Sequence, residues 1–206
     1  MNLRAVPMKV YGTLLVLSVI VAVVFFQSPH SSSPVESVAT TVSGIDLEGN
    51  SVRPFARNPG FGVVLIFIRV DCPISNKYAP EIRRLHEEFT ARGFSLWLVY
   101  PDSETPVTEL RTHQQEFELP KDVIRDTEQT LVALSQVTVT PEAAVFLPDG
   151  QLVYHGRIDN RHVDFGSSRP EATEQNLRYV LEQLANGKTV TPSSTQAVGC
   201  YINRNK

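Results

Sequence analysis

Apolar and polar positions alternate between two spacings along this chain, and the switches mark its elements. The run Phe61-Gly-Val-Val-Leu-Ile-Phe-Ile-Arg-Val70 is apolar without alternation, the pattern of a strand covered on both faces. Asn76 to Arg92 then repeats apolar residues every three or four positions, which predicts an amphipathic helix ending at Gly93. Phe94-Ser-Leu-Trp-Leu-Val-Tyr100 reads as the next strand, Pro106 to Phe117 as a helix, Asp122 to Arg125 as a short strand and Thr127 to Ser135 as another helix. Glu142 to Leu147 and Gln151 to Gly156 are strands joined by Pro148-Asp149-Gly150, a strong hairpin signal. Val42 to Phe55 predicts a short hairpin around Glu48-Gly49-Asn50, and Glu171 to Ala185 a last helix stopped by Asn186-Gly187. Strands that alternate with helices and close on an antiparallel hairpin imply an α/β fold, with a mixed sheet and helices on both faces. There is no internal repeat.

The N-terminus breaks this pattern. Val10 to Phe26 is apolar without a charge, and Arg4 and Lys9 precede it. The run, roughly 17 residues, lies at the lower limit for a membrane span. It reads as an export signal or an uncleaved anchor, and the absence of a small-x-small cleavage site at its end favours the anchor. The preceding positive charges keep the N-terminus cytoplasmic and send the remainder across. The expected organisation is therefore a signal-anchor or signal peptide over 1–27 and a Ser/Pro-rich linker over 28–37. A folded domain over 38–186 and a tail over 187–206 follow.

Composition adds exclusions. A net charge of −3 provides no basic field for nucleic acid. There is no phosphate loop, no paired-cysteine zinc pattern and no hydrolase elbow, so neither a cofactor nor a metal is expected. The chain has two cysteines, which allow a single intramolecular pairing in an exported domain. Cys72 closes the Phe61–Val70 run and opens the following helix, where helix N–H groups favour a thiolate. Pro73 suits the first helical position. Asp71 would raise the Cys72 pKa and Lys77 would lower it, if either is close. A buried structural cysteine is the alternative reading.

These residues resemble the thioredoxin-like superfamily, in its redoxin and peroxiredoxin-like (AhpC/TSA) branch. The resemblance spans roughly Val42 to Ala185. It rests on the strand–Cys72–helix junction, on Pro80 within the helix, and on Val139-Thr140-Pro141 directly before a strand, which looks like the superfamily's cis-proline loop. It implies a three-layer α/β/α sandwich, preceded here by the N-terminal hydrophobic segment. Cys72 would be the nucleophile, and Thr140 and Pro141 a substrate-binding loop that pairs with an extended partner. The chain departs from thioredoxin's Cys-x-x-Cys, because Cys72-Pro73-Ile74-Ser75 has Ser75 at the second cysteine's place. Ser75 can hydrogen-bond a thiolate but cannot close a disulfide. Arg69 stands where typical peroxiredoxins carry Thr or Ser.

Cys200, in the small apolar patch Ala197-Val-Gly-Cys-Tyr-Ile202, is then the candidate resolving thiol, similar to the tail cysteine of some peroxiredoxins. The alternative is a static Cys72–Cys200 disulfide, contributing roughly 4–5 kcal/mol in the chain-entropy model. Arg157 and Arg161 are candidates for stabilising a thiolate or binding an anionic substrate; otherwise they belong to a solvated loop with Asp159 and Asp164. His155 and His162 raise a copper option, copper-delivery relatives of this fold using cysteines plus a histidine. The expectation is a membrane-anchored, extracytoplasmic thiol–disulfide oxidoreductase acting on a protein or small-molecule thiol or disulfide, with an external electron donor. A non-catalytic binding module and a copper-binding protein are the alternatives.

Overall fold

The Phe61–Val70 run becomes the middle of the sheet. In the computed structural model, which describes residues 41–56 and 60–204, strand β3 (Gly62–Phe67) is buried along its whole length. The apolar segment 10–26, membrane attachment through it and the linker 28–37 lie outside the described residues. β3 pairs in parallel with β4 (Phe94–Tyr100) on one side and antiparallel with β7 (Glu142–Phe146) on the other. Two covered edges and two covered faces explain why this strand shows no polar alternation.

The main sheet is mixed, as expected. Its order is β11 (Ser193–Ser194), β8 (Leu152–Gly156), β7, β3, β4, β5 (Val123–Arg125), β1 (Gly44–Ile45), β2 (Ser51–Val52). Side chains of β3 alternate between two cores, as the strand's period of two requires. Val64 and Ile66 share one core with α1 (Pro73–Ala91), α2 (Val107–Glu116) and α4 (Asn176–Ala185). Val63, Leu65 and Phe67 share the other with the short helix α3 (Thr130–Ser135). The layers are unequal: three described helices cover the first face, whereas α3, Val42, Val52, Phe55 and Ile202 close the second.

Helix α1 turns Ile74, Tyr78, Ile82, Leu85 and Phe89 to the core, a helical spacing of three and four. Each fully buried apolar side chain of this size stabilises the fold by about 1.5–3 kcal/mol. Pro80 lies inside α1 on an exposed position, and the helix runs on to Ala91.

Two helix starts and one added hairpin differ most from the sequence pattern, for visible reasons. α4 begins at Asn176 rather than Glu171, because the Asn160 carboxamide oxygen accepts the Thr173 and Glu174 N–H groups at 2.9 and 3.0 Å and holds that stretch as a loop. α3 begins at Thr130 rather than Thr127, after the left-handed Gln129. The segment after β8 forms a small hairpin, β9 (His162–Asp164) with β10 (Ser167–Ser168).

The tail is woven into the domain. β11 pairs in parallel with β8, and β12 (Cys200–Tyr201) pairs antiparallel with β6 (Val139–Thr140). The Ile202 N–H donates to the Thr138 carbonyl at 2.9 Å, and the Gln129 side chain donates to the Asn203 carbonyl at 2.6 Å.

Candidate functional site

Cys72 is the N-cap of α1. Its backbone is extended (φ −94°, ψ 105°), Pro73 starts the helix, and the Ser75 N–H points at the sulfur from 3.5 Å. A sulfur in this place takes over one of the donors that every helix start leaves unpaired. The Thr140–Pro141 peptide is cis, and the Thr140 carbonyl oxygen lies 2.9 Å from the Cys72 sulfur. Cys72 has no exposed surface, and Ser75 beside it is also buried.

The β12–β6 pairing sets Cys200 directly opposite Thr140. Cys200 thereby packs against the core that holds Cys72, on the far side of the Thr140 main chain that the Cys72 sulfur touches, and both cysteines are unlinked. Local sequence offers no second thiol near Cys72; sheet pairing brings the tail cysteine into its neighbourhood.

This pairing splits the two thiols electrostatically. Burial pushes the Cys72 thiol up. Hydrogen bonds from Cys200, from the Ser75 side chain and from the Ser75 and Cys200 backbones outweigh it, leaving the thiol below the ordinary value of 9.0. Ser75 Oγ is buried without a hydrogen-bond partner at normal geometry among the described residues, so its effect on the sulfur is that of a nearby hydroxyl dipole free to turn toward a thiolate. The Thr140 carbonyl works the other way, because at 2.9 Å it accepts from a protonated Cys72 and repels a thiolate. Cys200 is pushed up to about 12, by burial first, then by donating to Cys72 and by the charge on Cys72 and Asp71.

The charged neighbours act elsewhere than the sequence suggests. Asp71 is paired with Arg69 at 2.8 Å and raises Cys200 rather than Cys72. Lys77 depresses His162, after burial as the larger cause. Arg69 also donates to the Tyr201 carbonyl at 3.2 Å, so it clamps the tail.

Two buried groups brace the site, and sequence reasoning missed both. The Glu142 carboxylate accepts the Thr138 and Val139 N–H groups at 2.8 and 3.2 Å and holds the β6 loop from beneath. The Tyr100 hydroxyl meets His113 Nδ1 at 2.7 Å, His113 Nε2 meets Asn76 Oδ1 at 2.9 Å, and Asn76 donates to the Val70 carbonyl at 3.1 Å. One proton arrangement satisfies the whole chain: Tyr100 donates to a neutral imidazole, which donates to Asn76. Burial lowers the His113 pKa, which agrees with the neutral form. The relay fixes the turn that presents Cys72. An Asn in the first helical turn followed by a His facing the core is the only signal that pointed to it.

Arg157 is committed elsewhere. Its guanidinium bonds Asn176 at 2.8 Å and Glu174 at 2.6 Å, pinning the start of α4. Arg161 pairs with Asp159 at 4.0 Å, and Asp159 accepts the Tyr78 hydroxyl. The histidines of the copper option are also separated. His155 faces Glu142 at 3.7 Å, and His162 lies against the Tyr78 ring at 5.2 Å. Among the described residues no three His, Cys, Asp or Glu side chains gather as a metal site. None of the described helices is long and apolar enough to cross a membrane.

Comparison with known proteins gives a consistent picture. The profile of the AhpC/TSA family matches residues 35–155. No curated protein matches significantly. Among solved structures, an uncharacterised conserved protein from Geobacillus kaustophilus superposes with a TM-score of 0.67 at 22% identity, over 79% of this chain and 88% of its own. A thiol:disulfide interchange protein from Bacteroides sp. superposes with a TM-score of 0.53 at 19% identity, over 71% and 86%. MTB DsbF, solved in mixed oxidised and reduced forms, gives 0.53 at 16% identity, over 71% and 97%. At these identities the likeness establishes the thioredoxin-like fold.

Proposed function

Since the chain belongs to the AhpC/TSA family, we propose that it is a two-cysteine thiol–disulfide oxidoreductase of the redoxin type, with Cys72 as nucleophile and Cys200 as resolving thiol. The observation that supports this reading is the β12–β6 pairing, which sets Cys200 opposite Thr140, the residue whose carbonyl touches the buried Cys72 sulfur.

The cycle has two exchanges. The Cys72 thiolate attacks one sulfur of a substrate disulfide. A Cys72–substrate bond forms, the substrate S–S bond breaks, and the far half leaves as a thiolate that takes up a proton. The Cys200 thiolate then attacks the Cys72 sulfur, and the second half leaves in the same way. Two electrons and two protons pass from the protein thiols to the substrate, and an external dithiol returns the Cys72–Cys200 disulfide to its starting state.

The pKa split orders these steps. In the reduced pair Cys200 is held protonated, partly by the charge on Cys72. Once Cys72 is in a mixed disulfide that charge is gone, and Cys200 becomes easier to ionise. The resolving thiol is therefore silent until it is needed. Cys72 has no exposed surface, and the tail strand lies on the Thr140 main chain that touches its sulfur, so in this reading the tail lifts for a large substrate and returns to resolve it. The uncharged 10–26 run behind Arg4 and Lys9 supports an exported, membrane-held location. A C-terminal reporter fusion that is active only outside the cytoplasm tests that location, and an inactive fusion opposes it.

Cys72→Ser is expected to abolish reduction of a model disulfide. Cys200→Ser is expected to keep the first exchange and accumulate the mixed disulfide. If neither turnover nor a trapped adduct is seen, the proposal fails. A Cys72–Cys200 reduction potential below about −300 mV marks a structural bond instead.

A further inference from the structure

The tail does more than deliver a thiol. It lies on the β6 edge as an extended strand whose cysteine sits opposite Thr140. Thr140 Oγ1 approaches the Cys200 carbonyl at 3.5 Å, and Arg69 holds the next carbonyl, that of Tyr201. Ile202 is buried two positions after the cysteine, whereas Tyr201 between them is 76% exposed. This alternation is what a strand laid on a sheet edge shows. Immediately before the cysteine, Gly199 runs so close to the loop that a Cβ there would collide with the Thr140 carbonyl. The contact is with backbone on both sides, so no side-chain rotation relieves it.

We infer that residues 198–202 are a built-in copy of the partner segment this site accepts: an extended polypeptide, antiparallel to β6, with glycine immediately before its reactive cysteine and an apolar residue two positions after it. The inference rests on the proposed thiol–disulfide chemistry and adds the partner and its selection. The tail and the partner occupy the same edge, so docking is competitive. The reduced protein shields its own nucleophile, and a segment with the matching pattern displaces the tail. The Thr140 carbonyl acts as the selecting group by excluding side chains at the position before the cysteine.

The test uses full-length Cys200→Ser protein and two synthetic nonapeptides. One has the sequence Gln-Ala-Val-Gly-Cys-Tyr-Ile-Asn-Arg, matching residues 196–204, and the other has alanine in place of its glycine. Each peptide carries its cysteine as a mixed disulfide with thionitrobenzoate. The Cys72 thiolate attacks the peptide sulfur, the Cys72–peptide disulfide forms, and coloured thionitrobenzoate leaves. The glycine peptide is expected to react at least about tenfold faster than the alanine peptide. The same measurement on Gly199→Val/Cys200→Ser, whose own tail no longer fits, is expected to give a faster glycine-peptide reaction while keeping the discrimination. Equal rates for the two peptides in both proteins overturn the inference. Reaction with the small disulfide of glutathione and thionitrobenzoate but with neither peptide also overturns it, and leaves the proposed function standing. Failure with every reagent in both proteins overturns the proposed function and the inference with it.

Discussion

Ile202→Ala isolates the docking of the tail. Ile202 is only 7% exposed and packs into the core formed by Val137, Leu131, Val132, Ile124 and Phe67. Truncating a buried Ile to Ala costs about 2–5 kcal/mol. This site lies at the end of the chain and can relax, so the lower part of that range, about 2–3 kcal/mol, applies. The hydrogen bonds of the tail with Thr138, Arg69 and Gln129 use the main chain of residues 201–203 and survive the substitution in the docked state. The lost energy therefore falls on the docked-to-lifted equilibrium. At about 1.4 kcal/mol per tenfold, the lifted fraction rises about 30- to 150-fold. Cys72 has no exposed surface while the tail is docked, so its alkylation reports that fraction when closing outpaces labelling. Iodoacetamide labelling of Cys72, followed by peptide mass spectrometry at fixed pH, is expected to accelerate by that factor. The main denaturant transition is expected to move less than the labelling implies. An unchanged rate with a full 2–3 kcal/mol loss of global stability refutes the reasoning, because the tail would then be part of the cooperative core.

Three further outcomes follow from the same contacts. The thiol pair is expected to titrate in two steps, one below 9 and one at about 12. In Cys72→Ser the Cys200 step is expected to fall, since donation to Cys72 and repulsion from it vanish; thiolate absorbance at 240 nm checks this, and a Cys200 step fixed near 12 opposes it. Burial holds the His113 pKa below 6.5 in the fold, so below 6.5 the unfolded chain binds the extra proton and stability falls as pH drops. That slope should be smaller in His113→Gln, as judged from urea midpoints at pH 7 and 5, and an identical slope counts against the neutral imidazole. Tyr78→Phe leaves the buried Asp159 carboxylate without its hydroxyl donor and is expected to cost about 1–3 kcal/mol with the urea m-value unchanged. A cost near zero means that water or Arg161 replaces the donor.

The parts of the fold that depend on neighbouring residues were legible in the sequence. β3, α1, β4 and the β7–β8 hairpin each carry their own period or turn signal. Cys72 and Thr140-Pro141 stood out because each sits at a junction between such elements. The tail was only half legible. The apolar patch around Cys200 signalled docking, but β11 and β12 are two residues long and have no periodicity of their own. Their pairing with β8 and β6 is fixed by contacts between residues far apart in the chain. Arg157 looked like a site residue because the hairpin ends beside it. Its partners, Glu174 and Asn176, belong to a stretch whose loop conformation is set by Asn160. Asp71 adjoins Cys72 in sequence and would act on it only if close, whereas the fold brings its charge to bear on Cys200. In both cases adjacency in sequence was a poor guide to adjacency in space.

The central claim is that Cys200 resolves what Cys72 captures. Mixing the fully reduced full-length protein with one equivalent of a small disulfide, quenching with acid and mapping every cysteine by mass spectrometry tests it directly. The account predicts an early Cys72–substrate adduct. This is then replaced by a Cys72–Cys200 link within one chain, with two equivalents of substrate thiol released. A lasting adduct on Cys72 with Cys200 still free, or an adduct that appears first on Cys200, contradicts it.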